Sequence, residues 1–194
     1  GRARRDRLLT SADARPGDAL VLTKAAALEG TAILAADLGH LLLDRLDAAT
    51  LERARALTSR LSVVPEGVLA AELGAHALHD PTEGGVLGAL WELAEASDAG
   101  YVVDAAAVPI LDETRRVCAA LGADPLRLIS SGALLIACPD AERMLAGLAQ
   151  VGIPAARIGG VVERERVLLA DGERRAVGPV VRDELWRILE EHGA

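Results

Sequence analysis

Apolar positions along the chain follow two periods that alternate with each other. Runs typical of strands occupy residues 19–23, 75–79, 100–104 and 133–138, and Leu8 with Leu9 allows a short strand before them. Helical spacing covers residues 29–38, 51–57, 65–74, 86–96, 113–121, 140–152 and a last amphipathic stretch around residues 185–189. Strands that alternate with helices predict one layered domain.

Turn residues sharpen this prediction. Asp171-Gly172 lies between the strand-like runs 166–170 and 173–177, which predicts a hairpin. A hairpin requires an antiparallel pair, so the expected sheet is mixed. We therefore predict the α+β class, with a three-layer α/β/α arrangement in which helices flank a mixed sheet.

Composition determines how the core is built and which partners are disfavoured. The 194 residues are 51% hydrophobic but include no Phe, so Leu, Ala and Val must fill the core. Trp91 and Trp186 lie on apolar helix stripes, and we assign both to the core. The formal net charge of −8 is the wrong sign for a phosphate-backbone binder, so we expect no nucleic-acid partner. No window resembles a membrane span or a signal peptide, which favours a cytoplasmic protein without a membrane partner.

Cysteine and histidine indicate neither a disulfide framework nor a metal site. Cys118 and Cys138 are far apart and lie in apolar stretches. If residues 75–79 form a strand, His76 and His79 point to opposite faces of the sheet.

The first 17 residues differ from the rest of the chain. Five arginines against two aspartates make residues 1–15 basic, and Pro16-Gly17 supplies a turn. We expect residues 1–17 to be a basic arm or linker from an amino-terminal domain that precedes this chain, and residues 18–194 to be the folded domain.

The most informative stretch is a Gly-rich loop between a predicted strand and a predicted helix, made of His79 and then Asp80, Pro81, Thr82, Glu83, Gly84 and Gly85. Two glycines would allow a phosphate to approach backbone N–H groups at the helix start. Asp80, Pro81 and Glu83 equally fit a capping box, which requires no ligand. That alternative leaves the two glycines unexplained, since each costs about 1 kcal/mol inside a helix.

A second candidate is the serine turn, Ser130-Ser131-Gly132, which leads into the most apolar strand. Its hydroxyls suit ligand oxygens, and they equally suit a plain turn. No nucleophile elbow, Walker loop or dinucleotide fingerprint occurs in the sequence, which disfavours those hydrolases, NTPases and dehydrogenases. Lys24 is a third candidate, because it is the single Lys among 21 basic residues and the other 20 are Arg.

Together these motifs resemble the carboxy-terminal half of the aminoimidazole ribonucleotide (AIR) synthetase superfamily, and most closely its hydrogenase maturation and AIR synthase-related members. The resemblance rests on residues 15–24, 79–85 and 130–135, which occur in the family's order and span most of the chain.

The resemblance implies an ATP- and magnesium-dependent enzyme that activates or phosphorylates an oxygen of a small molecule, usually as a homodimer. Most of the nucleotide and metal site then belongs to the amino-terminal domain, so the chain alone is expected to be inactive and to hold no metal of its own. Asp80 to Gly85, Ser130 to Gly132 and Lys24 would face the nucleotide or the substrate phosphate. A non-catalytic module that retains the fold and dimerises is the alternative, and a thiamine-monophosphate kinase is a second one.

Two features depart from the hydrogenase maturation pattern. Those relatives usually have Arg where this chain has Glu83, and they end on a reactive Cys, whereas this chain ends without a thiol. The first departure would place a carboxylate beside phosphates, which it repels unless magnesium intervenes. The second disfavours a thiocyanate-forming reaction.

Overall fold

A computed structural model describes residues 8–193, which form a mixed seven-stranded sheet in the strand order β2-β4-β1-β5-β3-β6-β7. The strands are β1 (Ala19–Thr23), β2 (Ala77–His79), β3 (Gly100–Asp104), β4 (Leu135–Cys138), β5 (Ala155–Val162), β6 (Arg166–Ala170) and β7 (Glu173–Ala176). Neighbouring strands are antiparallel except for β3 and β6, which run parallel. The predicted mixed sheet is confirmed.

Eight α-helices accompany the sheet in the described residues. They are α1 (Leu28–Asp37), α2 (Gly39–Leu42), α3 (Ala48–Arg55), α4 (Val64–Leu73), α5 (Gly85–Ala96), α6 (Asp112–Leu121), α7 (Ala141–Gln150) and α8 (Glu184–Glu191). Among residues 8–193, no helix is both long and apolar enough to cross a membrane.

Alternation along β1 shows why the helices lie on both faces of the sheet. Leu20 and Leu22 point into a core shared with α5, whereas Ala19 and Val21 point into a second core shared with α4 and α7. Because successive strand residues face opposite sides, one apolar strand supplies both cores. A third cluster joins α1, α3, α6 and α8 beside the sheet. The three-layer prediction is therefore confirmed.

Several local predictions are also confirmed. Gly74 ends α4 in a left-handed conformation, and Asp140 caps α7 by accepting a hydrogen bond from the Arg143 N–H group. Asp171 and Gly172 both have positive φ in the β6–β7 hairpin, as its two-residue turn requires.

Other predictions are wrong. Leu8 and Leu9 form no strand, and they are followed by a short 3-10 helix, Ser11–Asp13. The local sequence pattern does not predict β5, which is the longest strand of the described residues. Its sequence AARIGGVV breaks the apolar alternation with an arginine and two glycines, and its pairing with β1 shifts register between Leu20 and Val21. A strand with a shifted register does not keep one side-chain period along its whole length.

The amino-terminal arm is partly described. Residues 1–7 of the predicted basic arm lie outside the described residues. Ala14 is buried in the core shared with α5, and the Ser11 hydroxyl lies 2.7 Å from His79 Nδ1. Residues 8–17 thus pack against the sheet.

Candidate functional site

The three sequence motifs lie at one end of three adjacent strands. β1 ends before Lys24 and β2 ends at His79, where the Gly-rich loop begins, whereas β4 begins just after the serine turn. Both β1 and β2 pair antiparallel with β4, so that Leu22 and His79 flank Leu135 in the sheet. We call this end of the sheet the site end.

The Gly-rich loop has an exposed part and a buried part. Asp80, Thr82 and Glu83 are exposed, whereas Pro81, Gly84 and Gly85 are buried. The side chains that a ligand could reach therefore come first in the loop, and the glycines follow them into the protein.

The glycines are explained by the packing around them. Gly85 has φ of +62°, and a Cβ there would lie 2.6 Å from the Leu128 carbonyl oxygen and 2.7 Å from that of Leu126. Gly84 has φ of +82°, and a Cβ there would lie 3.1 Å from Val180. Only glycine combines this conformation with such close backbone packing.

The capping-box interpretation of the loop is wrong. α5 begins at Gly85 with Gly84 as its N-cap, so Asp80 lies too early in the chain to cap it. The backbone N–H groups at the start of α5 find acceptors in other parts of the chain. The Gly84 N–H donates to Asp183 Oδ2 at 2.6 Å, and the Leu87 N–H donates to the Leu126 carbonyl at 3.0 Å.

Asp183 is a residue of the site end that sequence reasoning missed. The residue is 4% exposed, and its carboxylate also accepts hydrogen bonds from the Ile129 and Leu185 N–H groups, at 3.2 and 2.7 Å. Burial raises the pKa of Asp183, while these N–H donors act in the opposite direction. An Asp before an amphipathic helix signals an N-cap, but that signal does not reveal the bonds to Gly84 and Ile129.

Hydrogen bonds of the Ser130 side chain to the backbone hold the serine turn in place. This side chain is fully buried, and its hydroxyl accepts from the Ala27 N–H at 2.7 Å and donates to the Leu128 carbonyl at 2.8 Å. Ser131 is half-buried. Gly132, with φ of +102°, packs on Arg60 and Leu61, where a Cβ would come within 3.1 Å.

Lys24 lies across the serine turn from the Gly-rich loop. Its ammonium donates to the carbonyls of Arg60 and Ser62 at 3.0 and 2.7 Å and pairs with Glu66 Oε1 at 2.7 Å. Lys24 also has a left-handed backbone, with φ of +53°. It borders a cavity of about 210 Å³ whose other lining residues are Ser59, Arg60, Ser62 and Gly152 to Pro154.

The structure thus brings the three motifs together through shared neighbours. Residues 126–129 join the Gly-rich loop to the serine turn, and residues 60–62 join the serine turn to Lys24. Within the described part of the chain, Lys24 and the Gly-rich loop share no hydrogen bond with each other.

Metal-ligating and nucleophilic groups are sparse. Residues 8–193 contain no group of three or more His, Cys, Asp or Glu placed to hold a metal ion. Both thiols are buried, and burial raises the pKa of Cys118 to about 12 and that of Cys138 to about 11.

The two tryptophans do not behave as predicted. Trp186 is 48% exposed, and its indole N–H donates to Glu83 Oε1 at 3.4 Å, so its assignment to the core is wrong. Trp91 is only partly buried, and the Arg166 guanidinium stacks 4.1 Å from its ring centre.

Comparisons with known proteins identify the family. The sequence model of "AIR synthase related protein, C-terminal domain" matches residues 15–171. The chain is 37% identical over 166 residues to the carbamoyl dehydratase HypE of Cupriavidus necator, a match that covers 82% of this chain and 44% of that protein. It is 32% identical over 186 residues to the thiamine-monophosphate kinase of Halobacterium salinarum, covering 93% of this chain and 56% of that protein. The chain thus spans about half the length of the curated relatives it matches.

Solved structures agree with the sequence comparison. Escherichia coli HypE superposes with a TM-score of 0.76 at 30% identity, covering 93% of this chain and 55% of that one. A HypE in complex with ATP gives a TM-score of 0.72 at 30% identity, and the match covers 97% of this chain and 57% of that one. With the family match, the shared fold and the ordered motifs in agreement, the chain belongs to the AIR synthase-related family and corresponds to its C-terminal domain.

Proposed function

We propose that this chain acts as the carboxy-terminal domain of an ATP-dependent AIR synthase-related enzyme, and that its site end faces the nucleotide or the substrate phosphate. The observation that carries the proposal is the convergence of the Gly-rich loop, the serine turn and Lys24 at one end of β1, β2 and β4. The relative whose structure was solved with ATP has the same fold at 30% identity.

The residues divide into those that would touch the ligand and those that would position them. Asp80, Thr82 and Glu83 are exposed and would make the contacts. Gly84 and Gly85 allow the loop to turn into α5, whereas Ser130 and Gly132 fix the segments behind it. Pro81 and Ser131 complete the two turns.

Lys24 has a positioning role in this proposal. Its ammonium is occupied by two carbonyls and Glu66, so it holds residues 60–62 against the site end. A bare phosphate would find no unshared charge on it.

The chemistry of the loop fits a magnesium-bound nucleotide better than a bare anion. Two exposed carboxylates, Asp80 and Glu83, repel phosphates, but one or two carboxylates together with phosphate oxygens are the usual ligands of Mg²⁺. Asp80 and Glu83 would therefore face a magnesium-bound triphosphate at this rim, and the protein ligands of the ion would come from an amino-terminal domain. ATP supplies a phosphoryl group to an oxygen of the second substrate, and ADP leaves.

The second substrate has two candidates. The relatives named carbamoyl dehydratase suggest the oxygen of a carbamoyl group, and the 32% identity to a thiamine-monophosphate kinase suggests a phosphate oxygen. Measuring ATP consumption by the full-length protein with a carbamoyl compound and with thiamine monophosphate distinguishes them.

Calorimetry with magnesium and a non-hydrolysable ATP analogue tests the nucleotide site. We expect the full-length protein to bind and the Asp80→Asn/Thr82→Ala variant to bind about tenfold more weakly. Asp140→Asn, at the opposite end of the sheet, is the matched control and should bind like the wild type. Full-length protein that binds no nucleotide would instead indicate a non-catalytic module that retains the fold.

The same calorimetry on this chain by itself distinguishes two versions of the proposal. An affinity tighter than about 100 μM, or roughly −5.5 kcal/mol, would mean that this domain holds a substantial nucleotide site alone. We expect weaker binding and no turnover, because the proposal assigns most of the site to an amino-terminal domain. The homodimer belongs to the same proposal, and light scattering of the full-length protein measures it.

A further inference from the structure

The carboxy-terminal segment packs against the Gly-rich loop, although it lies beyond the region that the family model matches. That match ends at residue 171, whereas Val180, Asp183 and Trp186 surround the loop. The segment was not among the residues that the sequence motifs singled out.

Asp183 connects three separate parts of the chain through one carboxylate. Oδ2 accepts the Gly84 N–H at 2.6 Å, and Oδ1 accepts the N–H groups of Ile129 and Leu185. Gly84 belongs to the Gly-rich loop, Ile129 directly precedes the serine turn, and Leu185 belongs to the first turn of α8. Asp183 is only 4% exposed as a residue, and a buried carboxylate makes strong bonds to N–H groups. Removing it leaves those N–H groups without a partner.

Two further contacts join the carboxy-terminal segment to the Gly-rich loop. Val180 packs closely on Gly84: a Cβ added at Gly84 would lie 3.1 Å from the Cβ of Val180. The Trp186 indole donates to the Glu83 carboxylate, which belongs to the exposed part of the loop. The loop is therefore held from the side of α8 at both Glu83 and Gly84.

We propose that Asp183 is a positioning residue of the site: it holds the Gly-rich loop and the approach to the serine turn in one arrangement, so that the carboxy-terminal segment completes the site. The part of this inference that concerns a ligand rests on the proposed function. The part that concerns the position of the loop does not.

The two oxygens allow the helix cap to be separated from the loop contact. In Asp183→Asn, the amide oxygen can keep the bonds to Leu185 and Ile129, and Asn is a good N-cap. The amide NH₂ group then faces the Gly84 N–H, so that donor meets donor and this bond is lost. Asp183→Ala removes all three bonds. Asp140→Asn and Asp140→Ala are the matched controls, because Asp140 caps α7 through a local bond at the other end of the sheet.

Amide hydrogen exchange of this chain without nucleotide is the first measurement. We expect Asp183→Asn to speed exchange at the Gly84 amide about tenfold or more while the Leu185 amide stays protected. Neither Asp140 variant should change exchange at Gly84. Gly84 protection equal to the wild type in Asp183→Asn would overturn the inference and leave Asp183 as a helix cap only.

Affinity of the full-length protein for magnesium and the ATP analogue is the second measurement. We expect about tenfold weaker binding in Asp183→Asn, a raised KM for ATP and unchanged helix content by circular dichroism. If the wild type binds nucleotide and Asp183→Asn binds equally well, the positioning role is wrong. If the wild type binds none, the proposed function fails, and the exchange measurement still decides the role of Asp183.

Discussion

The site end and the β6–β7 hairpin use charged residues in opposite ways. At the site end, Lys24 and Glu66 form a pair whose side chains are only 10% and 3% exposed. In the hairpin, Arg174 pairs with Glu165 and Arg175 with Asp171, and all four side chains are more than half exposed. Distances in these pairs are similar, between 2.7 and 3.2 Å, so burial is what distinguishes them.

This difference determines what each region can tolerate. A buried charge that loses its partner costs several kcal/mol, whereas an exposed pair contributes at most about 1 kcal/mol. Glu66 Oε2 is buried without a hydrogen-bond partner in the described structure, so Lys24 is the main compensation for this carboxylate. We therefore expect the site end to be sensitive to substitution and the hairpin to be tolerant of it.

The largest effect is expected for Lys24→Met. This change leaves the Glu66 carboxylate buried and uncompensated and frees the carbonyls of Arg60 and Ser62, so we expect a loss of about 3 kcal/mol in the free energy of unfolding. Urea denaturation measures it, with Arg175→Met as the exposed control. The double variant Lys24→Met/Glu66→Leu should recover most of the loss. A cost below 1 kcal/mol for Lys24→Met would remove the contrast between the two regions.

Gly85→Ala should have an effect of comparable size. Strain from positive φ costs about 1 kcal/mol, and overpacking against the Leu126 and Leu128 carbonyls adds about 1–3 kcal/mol. Gly172→Ala in the hairpin is the matched control, since Gly172 also has positive φ but nothing lies within 4 Å of its Cβ position. The difference between their unfolding free energies isolates the packing contribution, and equal values would contradict the close approach at Gly85.

The buried thiols predict a pH effect on stability. Burial raises the pKa of Cys118 and Cys138 to about 12 and about 11 from the ordinary value of 9.0, so both stay protonated in the fold at neutral pH. The thiols of the unfolded chain ionise at a lower pH than the buried thiols of the fold. The contribution of the protonated thiols to stability is therefore complete below about pH 9 and declines as pH rises towards 11 and 12.

Cys118→Ser and Cys138→Ser should reduce this alkaline decline, as measured by denaturation between pH 7 and 10. They should leave any activity of the full-length protein intact, because neither thiol has the surroundings of a nucleophile. Rapid labelling of either thiol in the native protein at pH 7.5 would contradict this interpretation.

The smallest effect is expected in the hairpin. Arg174→Ala and Arg175→Ala each remove exposed ion pairs, so the unfolding free energy should change by less than about 0.5 kcal/mol. Thermal denaturation at low and high salt measures the change, and a loss of 2 kcal/mol or more would show that exposure does not separate the two regions.

Much of the fold followed from local patterns. Most helices, the hairpin turn and the apolar strands β1 and β4 were predictable, because side-chain period, caps and turn residues act over a few neighbouring residues. β5 was not, since a register shift and two glycines conceal its period. The exposure of Trp186 was also missed, because an apolar stripe does not reveal where a helix face ends against its neighbours.

The sequence by itself determined the fold class, the family and the three motifs of the candidate site. The tertiary structure decided how those motifs are held. A glycine is required at position 85 because the carbonyls of Leu126 and Leu128 lie so close, and Lys24 is held by its ion pair with Glu66. The start of α5 is held by Asp183, which lies 99 residues further along the chain than Gly84. Backbone and charge partners at such separations leave no local pattern, because the free energy of a buried hydrogen bond depends on which groups the fold brings together.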